Sequence, residues 1–284
     1  MSHSVILTSQ NQNPNVPNQF LYRFPSTQSF KGQHQIALVQ TSVYNSFFNI
    51  ESSRGNTNIT IEWNAATPTT HVFSFTPGFY SVSDMNYAIQ NFCLLNKLYM
   101  EDTVNKSNVF FIELLTNAIT YSAQINFYAI PTSAEAATNN WSIPAGATWS
   151  LANNAQCPQV TFNTQFGTLL GFNAATYPPT ILNAKQQYLS QFAPTISPTS
   201  GIFLTCNLIS SPYSNPSNIL STLPITSGFG DLILMKNSTP TYIDIIPGSY
   251  NEIEINLLNQ AYENLTLRDK EVVIMLIIKE IPKK

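Results

Sequence analysis

The sequence predicts an all-β protein, a single jelly-roll β-sandwich of about eight antiparallel strands with an inserted segment of mixed β structure that carries one helix. Three observations lead to this prediction. Short apolar, strand-like runs cluster towards both ends of the chain, turn-forming residues separate them, and a helical pattern breaks the β rhythm once, in the middle. Eight strands in two facing sheets is the jelly-roll number, although a β-sandwich of another topology would give a similar pattern.

The strand-like runs define the predicted domains. In 58–63, NITIEW, apolar Ile59, Ile61 and Trp63 alternate with polar residues, as a half-buried strand requires. The predicted jelly-roll strands are 20–24, 36–50, 58–63 and 72–75 near the start, and 201–209, 231–246, 251–258 and 271–279 near the end. We therefore expect a flexible N-terminal arm at 1–19, a jelly-roll domain made of 20–80 and 201–284, and an inserted domain at 81–200.

The inserted domain contains the predicted helix. In 81–100, Met85, Ile89 and Phe92 follow helical spacing, and Ser81 with Asp84 three residues later is typical of an N-terminal cap. The runs 109–115, 118–130 and 160–172 are again β-like. Residues 131–158 favour a long loop, and 173–199, which contain four prolines, favour irregular structure. At the other end, the very apolar run 271–279 predicts a central strand.

Composition limits the partners. Charged residues are 10% of the 284, against about 25% in ordinary soluble domains, and the net charge is -3 with no basic run, so we expect no nucleic-acid ligand. A surface that is polar but weakly charged suits a subunit that packs against neighbours. Neither a secretory signal nor an apolar run of the ~18 residues that a membrane span needs is found, so we expect a cytosolic site of synthesis and no membrane span. Three widely spaced cysteines, Cys93, Cys157 and Cys206, predict neither a disulfide framework nor a zinc site.

Residues capable of catalysis are few and scattered. His3, His34 and His71 have no partner pattern around them, so solvated or strand-edge histidines are the simpler interpretation. Glu252 and Glu254 share one face of a strand and resemble paired acids or a metal clamp. Because isoleucines alternate with them, the solvent side of a half-buried strand is favoured. We therefore predict no catalytic, cofactor-binding or metal-binding residue, no cofactor and no enzymatic activity.

Two further patterns admit a binding function. Gly167-Thr168-Leu169-Leu170-Gly171 has glycine spacing but lacks the lysine of a phosphate loop, so a tight turn is favoured. Aromatic residues make up 12% of the chain and could form a sugar or base platform, although core and subunit contacts are the simpler explanation. Trp141 and Trp149 are the residues through which a sugar-binding function would be tested.

Several segments resemble the penton, or minor capsid, proteins of virophages and polinton-like double-stranded DNA viruses. The segments, in order along the chain, are 34–50 (HQIALVQTSVYNSFFNI), 78–92 (GFYSVSDMNYAIQNF), 165–172 (QFGTLLGF), 204–220 (LTCNLISSPYSNPSNIL) and 247–280, which begins PGSYNEIEINLLNQ and ends LRDKEVVIMLIIKE. The resemblance implies a single jelly roll whose five copies close a ring at each vertex of an icosahedral capsid. It also implies a virion protein assembled in the host cytoplasm, with hexamers of a double-jelly-roll major capsid protein as partners and a host receptor or glycan as a further candidate partner. An added outer domain in some relatives is compatible with the insertion, but 131–158 has no counterpart there.

Two other functions stay open at this point. One is a carbohydrate- or receptor-binding β-sandwich module of a virion or phage fibre, and the other is a hydrolase, for which the sequence offers no nucleophile.

Overall fold

The computed structural model of the chain describes residues 2–32 and 34–281, and in this part of the chain β-strands dominate. It contains twenty strands and three α-helices, with 3-10 turns at Ser9–Asn11 and Ser52–Arg54. The strands are β1 (Ser2–Thr8), β2 (Gln12–Asn13), β3 (Val16–Phe30), β4 (His34–Tyr44), β5 (Asn58–Trp63), β6 (Thr69–Ser74), β7 (Met100–Asp102), β8 (Ser107–Val109), β9 (Ile112–Asn117), β10 (Ser122–Phe127), β11 (Trp141–Ser142), β12 (Gln159–Phe162), β13 (Thr176–Tyr177), β14 (Gln186–Leu189), β15 (Gly201–Cys206), β16 (Ile219–Pro224), β17 (Leu232–Lys236), β18 (Ile243–Asp244), β19 (Gly248–Leu258) and β20 (Val273–Glu280). The helices are α1 (Val82–Leu95), α2 (Ser133–Asn139) and α3 (Thr164–Leu170).

The chain divides into two compact units. The first runs up to Phe47 and resumes at Pro198, and the second is Phe48–Ser197. Residues 48–80, predicted as part of the jelly roll, lie in the second unit, because β5 pairs with β6 and β12 rather than with any strand of the first unit. The observed boundaries between the two units, at 47/48 and 197/198, therefore differ from the predicted boundaries at 80/81 and 200/201.

The first unit is a jelly roll. One sheet has the order β1-β20-β4-β17, with the short β18 also on β4, and the other has the order β16-β15-β19-β3-β2. If the eight long strands are numbered along the chain, the sheets read 1-8-3-6 and 2-7-4-5, which is the jelly-roll order. The predicted fold class is confirmed. Three of the eight strands precede the insertion and five follow it, not four and four.

The core of the first unit lies between its two sheets. The first sheet contributes alternate residues such as Leu7, Leu38 and Ile274, and the second contributes residues such as Phe20 and Ile255; all are almost fully buried. Alternation arises because successive side chains of a strand point to opposite faces of its sheet. As predicted for the run at 271–279, β20 is a central strand, with β1 on one side and β4 on the other.

The N-terminal residues are the largest departure from the sequence prediction. Residues 1–19 are predicted as an arm with little structure of its own, yet Ser2–Thr8 form β1 and pair with β20 from Ser2↔Lys279 to Thr8↔Val273. Val5 and Leu7 are buried in the core. The burial of two apolar side chains and a full ladder of backbone hydrogen bonds are sufficient to order this strand, although the surrounding residues are mostly polar.

The second unit contains smaller sheets and the three helices. Its strand orders are β13-β12-β5-β6, β14-β10-β9 and β11-β7-β8. The predicted helix is confirmed as α1, and its Ser81 and Asp84 form a reciprocal capping box. The prediction of a single helix is wrong, since α2 lies in the predicted loop 131–158 and α3 in the β-like run 160–172. Both are short and begin at side-chain caps, Thr132 and Asn163.

Gly171 ends α3 in a conformation that requires glycine. Its φ is +79°, and an added Cβ would lie 2.0 Å from the carbonyl oxygen of Phe192. The glycine pattern at 167–171 therefore belongs to the end of α3 and its C-terminal cap. The tight turn predicted here corresponds to this cap, and the pattern is not that of a phosphate loop.

We expect Gly171→Ala to destabilise the second unit more than Gly55→Ala does. Both positions have positive φ, but a Cβ at Gly55 would meet only the Gln165 side chain, at 3.9 Å. Both substitutions place a Cβ on a left-handed backbone, so this energetic penalty is the same for the two variants. At Gly171 the overlap with backbone atoms adds about 1–3 kcal/mol to the loss of stability. Urea unfolding followed by tryptophan fluorescence measures this difference, because all three tryptophans belong to the second unit. Equal midpoints for the two variants would contradict the geometry at Gly171.

The pairing of β1 gives a second prediction. Leu7→Ala removes a side chain that is 0% exposed and should lower the free energy of unfolding by about 2–5 kcal/mol. Ser4→Ala, an exposed position on the same strand, is the control and should change it by less than about 0.5 kcal/mol. Calorimetric melting of both variants measures the effect. A flexible N-terminal arm would leave both variants as stable as the parent.

Candidate functional site

The three histidines lie at separate places. His3 is on β1 opposite Ile278, and His34 begins β4, with its Nδ1 3.4 Å from the Gly32 carbonyl oxygen. His71 is on β6 of the second unit, with its Nε2 2.9 Å from the Thr69 hydroxyl, and burial lowers its pKa. His3 and His34 belong to the first unit and His71 to the second. Among residues 2–32 and 34–281, no group of three or more His, Cys, Asp and Glu side chains could hold a metal ion.

Glu252 and Glu254 lie on one face of β19, and each has a local partner. Ile253 and Ile255, which alternate with them, are buried, so the carboxylates occupy the solvent side of a half-buried strand. Glu252 lies 3.6 Å from Arg23 on the neighbouring β3, and Glu254 accepts a 2.8 Å hydrogen bond from the Asn256 side chain. The pair matches the structural alternative stated above rather than paired catalytic acids.

All three cysteines are buried free thiols. Burial raises the pKa of Cys93 and of Cys206 to about 12, and that of Cys157 to about 11. A thiol is nucleophilic as its thiolate, and at neutral pH these three remain protonated. They act as small apolar core residues.

The two tryptophans singled out from the sequence differ in environment. Trp149 is 8% exposed, its indole N–H donates a 2.6 Å hydrogen bond to the Lys97 carbonyl, and its ring lies 5.2 Å from that of Trp63. It is a core residue. Trp141, on β11, is only half-buried and lines a groove of the second unit.

The outer face of the first sheet carries an exposed apolar surface, which we call the apolar face (Ile6, Leu232, Leu234 and Val273). The strand register places these side chains opposite the core. The cross-strand rows are Thr8–Val273–Ser42–Leu234 and Ile6–Met275–Gln40–Lys236, and Leu232 follows on the same face two residues from Leu234. Ile6 is 53% exposed and Leu234 59% exposed, and Lys236 is the one charged residue in the two rows. Exposed apolar side chains gathered on one face of a sheet are typical of association surfaces.

The outer face of the second sheet has a different chemistry. Cross-strand pairs there include Glu252 with Arg23, Glu254 with Leu21 and Asn256 with Gln19. This face carries charges of both signs, and partly buried apolar residues such as Leu21, Phe203 and Leu258 also lie on it. The jelly roll therefore presents an apolar patch on the first sheet and a mixed, charged surface on the second.

No helix in the described part of the chain is both long and apolar enough to cross a membrane.

Comparison with known proteins gives structural matches only. No family model matches the chain, and no curated protein sequence matches it. The mavirus penton protein is similar in structure, with 13% identity and a TM-score of 0.45 over 99% of this chain and 100% of that one. A chain of the Sputnik virophage is similar with 10% identity and a TM-score of 0.41, over 98% and 96% of the two chains. The assignment of the jelly roll rests on the strand order described above.

The buried thiols predict a loss of stability at alkaline pH. Because the folded-state pKa values are raised above the ordinary 9.0, ionisation favours the unfolded chain. The stabilisation is complete below about pH 9 and is lost as pH rises towards about 12. The urea concentration at the midpoint of unfolding should fall from pH 7 to pH 9 and again to pH 10.5. It should fall less steeply for Cys206→Ala than for the parent, because one ionising group is gone. Parallel pH curves for the parent and Cys206→Ala would contradict the burial of this thiol.

Proposed function

We propose that this chain is a structural capsid protein, a penton whose five copies close a ring at the fivefold vertices of an icosahedral capsid. The observation that carries the proposal is the jelly-roll strand order, interrupted between its third and fourth strands by a complete second unit. The segments that resemble virophage pentons add support, since three of the five contain residues of jelly-roll strands and the other two contain residues of α1 and α3 in the second unit. Jelly rolls are a recurrent fold of capsid proteins.

The chemistry of the two outer faces supports a ring. A cyclic pentamer uses a head-to-tail interface, in which each subunit presents two different patches. The apolar face provides one of these patches. Because Lys236 is the one charged residue in the two cross-strand rows described above, burying this surface against a neighbour has a low electrostatic cost. Its burial against a neighbour removes Leu234 and Ile6 from water, at about 25 cal/mol per Å² of apolar surface.

The low overall charge acts in the same direction. Five identical subunits repel one another more strongly as their net charge rises, and this chain carries only -3 over 284 residues. A ring that closes leaves no free patch, so growth stops at a defined number of subunits. Edge strands β17 and β16 gain partners or cover in such an assembly, which limits uncontrolled strand pairing.

In the proposed assembly the ring contacts hexamers of a double-jelly-roll major capsid protein in a virion assembled in the host cytoplasm. The proposal assigns no reaction to the chain. Its carboxylates on β19 are paired locally and its thiols are protonated in the core, so their roles are structural.

We expect the purified protein to form pentamers of about 158 kDa, five times the 31.6 kDa of one chain, by light scattering after size exclusion, alone or with the major capsid protein. Leu234→Asp should return it to the monomer mass, because burying a new carboxylate in the interface is unfavourable. Since Leu234 is 59% exposed in the single chain, the variant should fold normally, which circular dichroism checks.

Ile119→Asp is the matched control, since Ile119 is 97% exposed in the second unit and lies outside the apolar face. It should assemble like the parent. A parent protein that stays monomeric at all concentrations and does not bind to capsid shells would overturn the penton proposal. A pentamer that survives Leu234→Asp would overturn the role of the apolar face alone.

A further inference from the structure

A groove in the second unit has the size and lining of a small-molecule site. Its volume is about 540 Å³, within the range of about 300–1,000 Å³ usual for ligand sites. Four aromatic side chains line it, together with three polar ones from different elements. They are Phe110, Phe111, Tyr128, Trp141, Gln90, Asn108 and Glu113. None of these residues is involved in the proposed ring contact.

The aromatic rings are held in position before any ligand arrives. The Trp141 ring lies edge-on to Phe111, with 6.3 Å between ring centroids, and the Trp141 backbone is paired with Asp102 of β7. The Tyr128 hydroxyl donates a 2.9 Å hydrogen bond to Glu113. Rings fixed in this way lose little conformational entropy on binding.

The polar groups offer directional hydrogen bonds beside these rings. Glu113 Oε2 accepts from the Asn126 side chain at 3.0 Å as well as from Tyr128, so the carboxylate is oriented. A carboxylate has about four acceptor positions, and these contacts occupy two of them. Gln90 on α1 and Asn108 on β8 add amide groups that both donate and accept.

The charges around the groove favour a neutral ligand. Glu113 is the one charged side chain of the lining, and the exposed Lys185 is already engaged, with its Nζ 4.7 Å from the centre of the Tyr128 ring. A phosphate or a carboxylate ligand would meet Glu113 without a cluster of cations to offset it. Flat rings beside hydrogen-bonding groups match a sugar ring, which has an apolar C–H face and a rim of hydroxyls.

We propose that this groove binds a neutral saccharide, stacked on Trp141 and hydrogen bonded through Glu113, Gln90 and Asn108. The proposal is independent of the pentamer, because every lining residue lies within Phe48–Ser197. It also separates the two tryptophans named from the sequence: Trp141 contacts the ligand, whereas Trp149 belongs to the core.

The test is a glycan array probed with the full chain, followed by titration calorimetry with the neutral saccharide that gives the strongest signal. Trp141→Ala should weaken binding about tenfold or more, because the stacking surface is lost. Asn108→Ala, at an exposed position where folding is not at risk, should weaken binding about threefold or more. Tyr87→Ala is the control: Tyr87 is 74% exposed on α1 but lies outside the groove, and the variant should bind like the parent.

Binding of neutral saccharides that both groove variants weaken supports the site. Signals from acidic glycans alone, binding of a peptide library without any saccharide, no saccharide binding, or binding unchanged in Trp141→Ala and Asn108→Ala would each overturn it. Because the pentamer is measured by mass, failure of the saccharide site leaves the proposed ring untouched, and failure of the ring leaves the saccharide site untouched.

Discussion

The ladder between the two ends of the chain is the interaction on which the first unit depends. Ser2–Thr8 pair with β20, and β20 pairs in turn with β4. Since Ile274 and Leu276 of β20 are fully buried, removing either neighbouring strand would expose both backbone polar groups and core side chains. The same ladder places Ile6 and Val273 as diagonal neighbours on the outer face, so this part of the apolar face depends on the pairing of β1 with β20.

The insertion is compatible with this constraint because it has its own core. Its buried cluster is built around Trp63, Phe111, Phe127 and Phe166, all from the second unit. The entropic cost of closing a loop rises only slowly with its length, so a compact unit between β4 and β15 disturbs the jelly roll little. Two kinds of surface result: an apolar sheet face suited to association and an aromatic groove suited to a small ligand.

Local signals were readable from the sequence, whereas pairing partners were not. The capping box of Ser81 and Asp84 identified α1, and alternation identified β5 as a strand. That β5 belongs to the second unit depends on its contact with β12, about a hundred residues away, which leaves no trace in NITIEW itself. Thr132 with Glu135 is a similar capping box and could have identified α2. Trp141 and Trp149 were indistinguishable, because burial is decided by distant residues such as Trp63.

The sequence separation of β1 and β20 has a consequence for biosynthesis. Because β1 is synthesised long before β20, Val5 and Leu7 lack this neighbouring strand until β20 has emerged from the ribosome. The second unit is complete by Ser197 and its strands pair mainly with near neighbours, so it is able to fold while the rest is still being made. Because Ser2, His3, Ser4 and Thr8 are polar, the apolar surface that β1 presents during this interval is limited to Val5, Ile6 and Leu7.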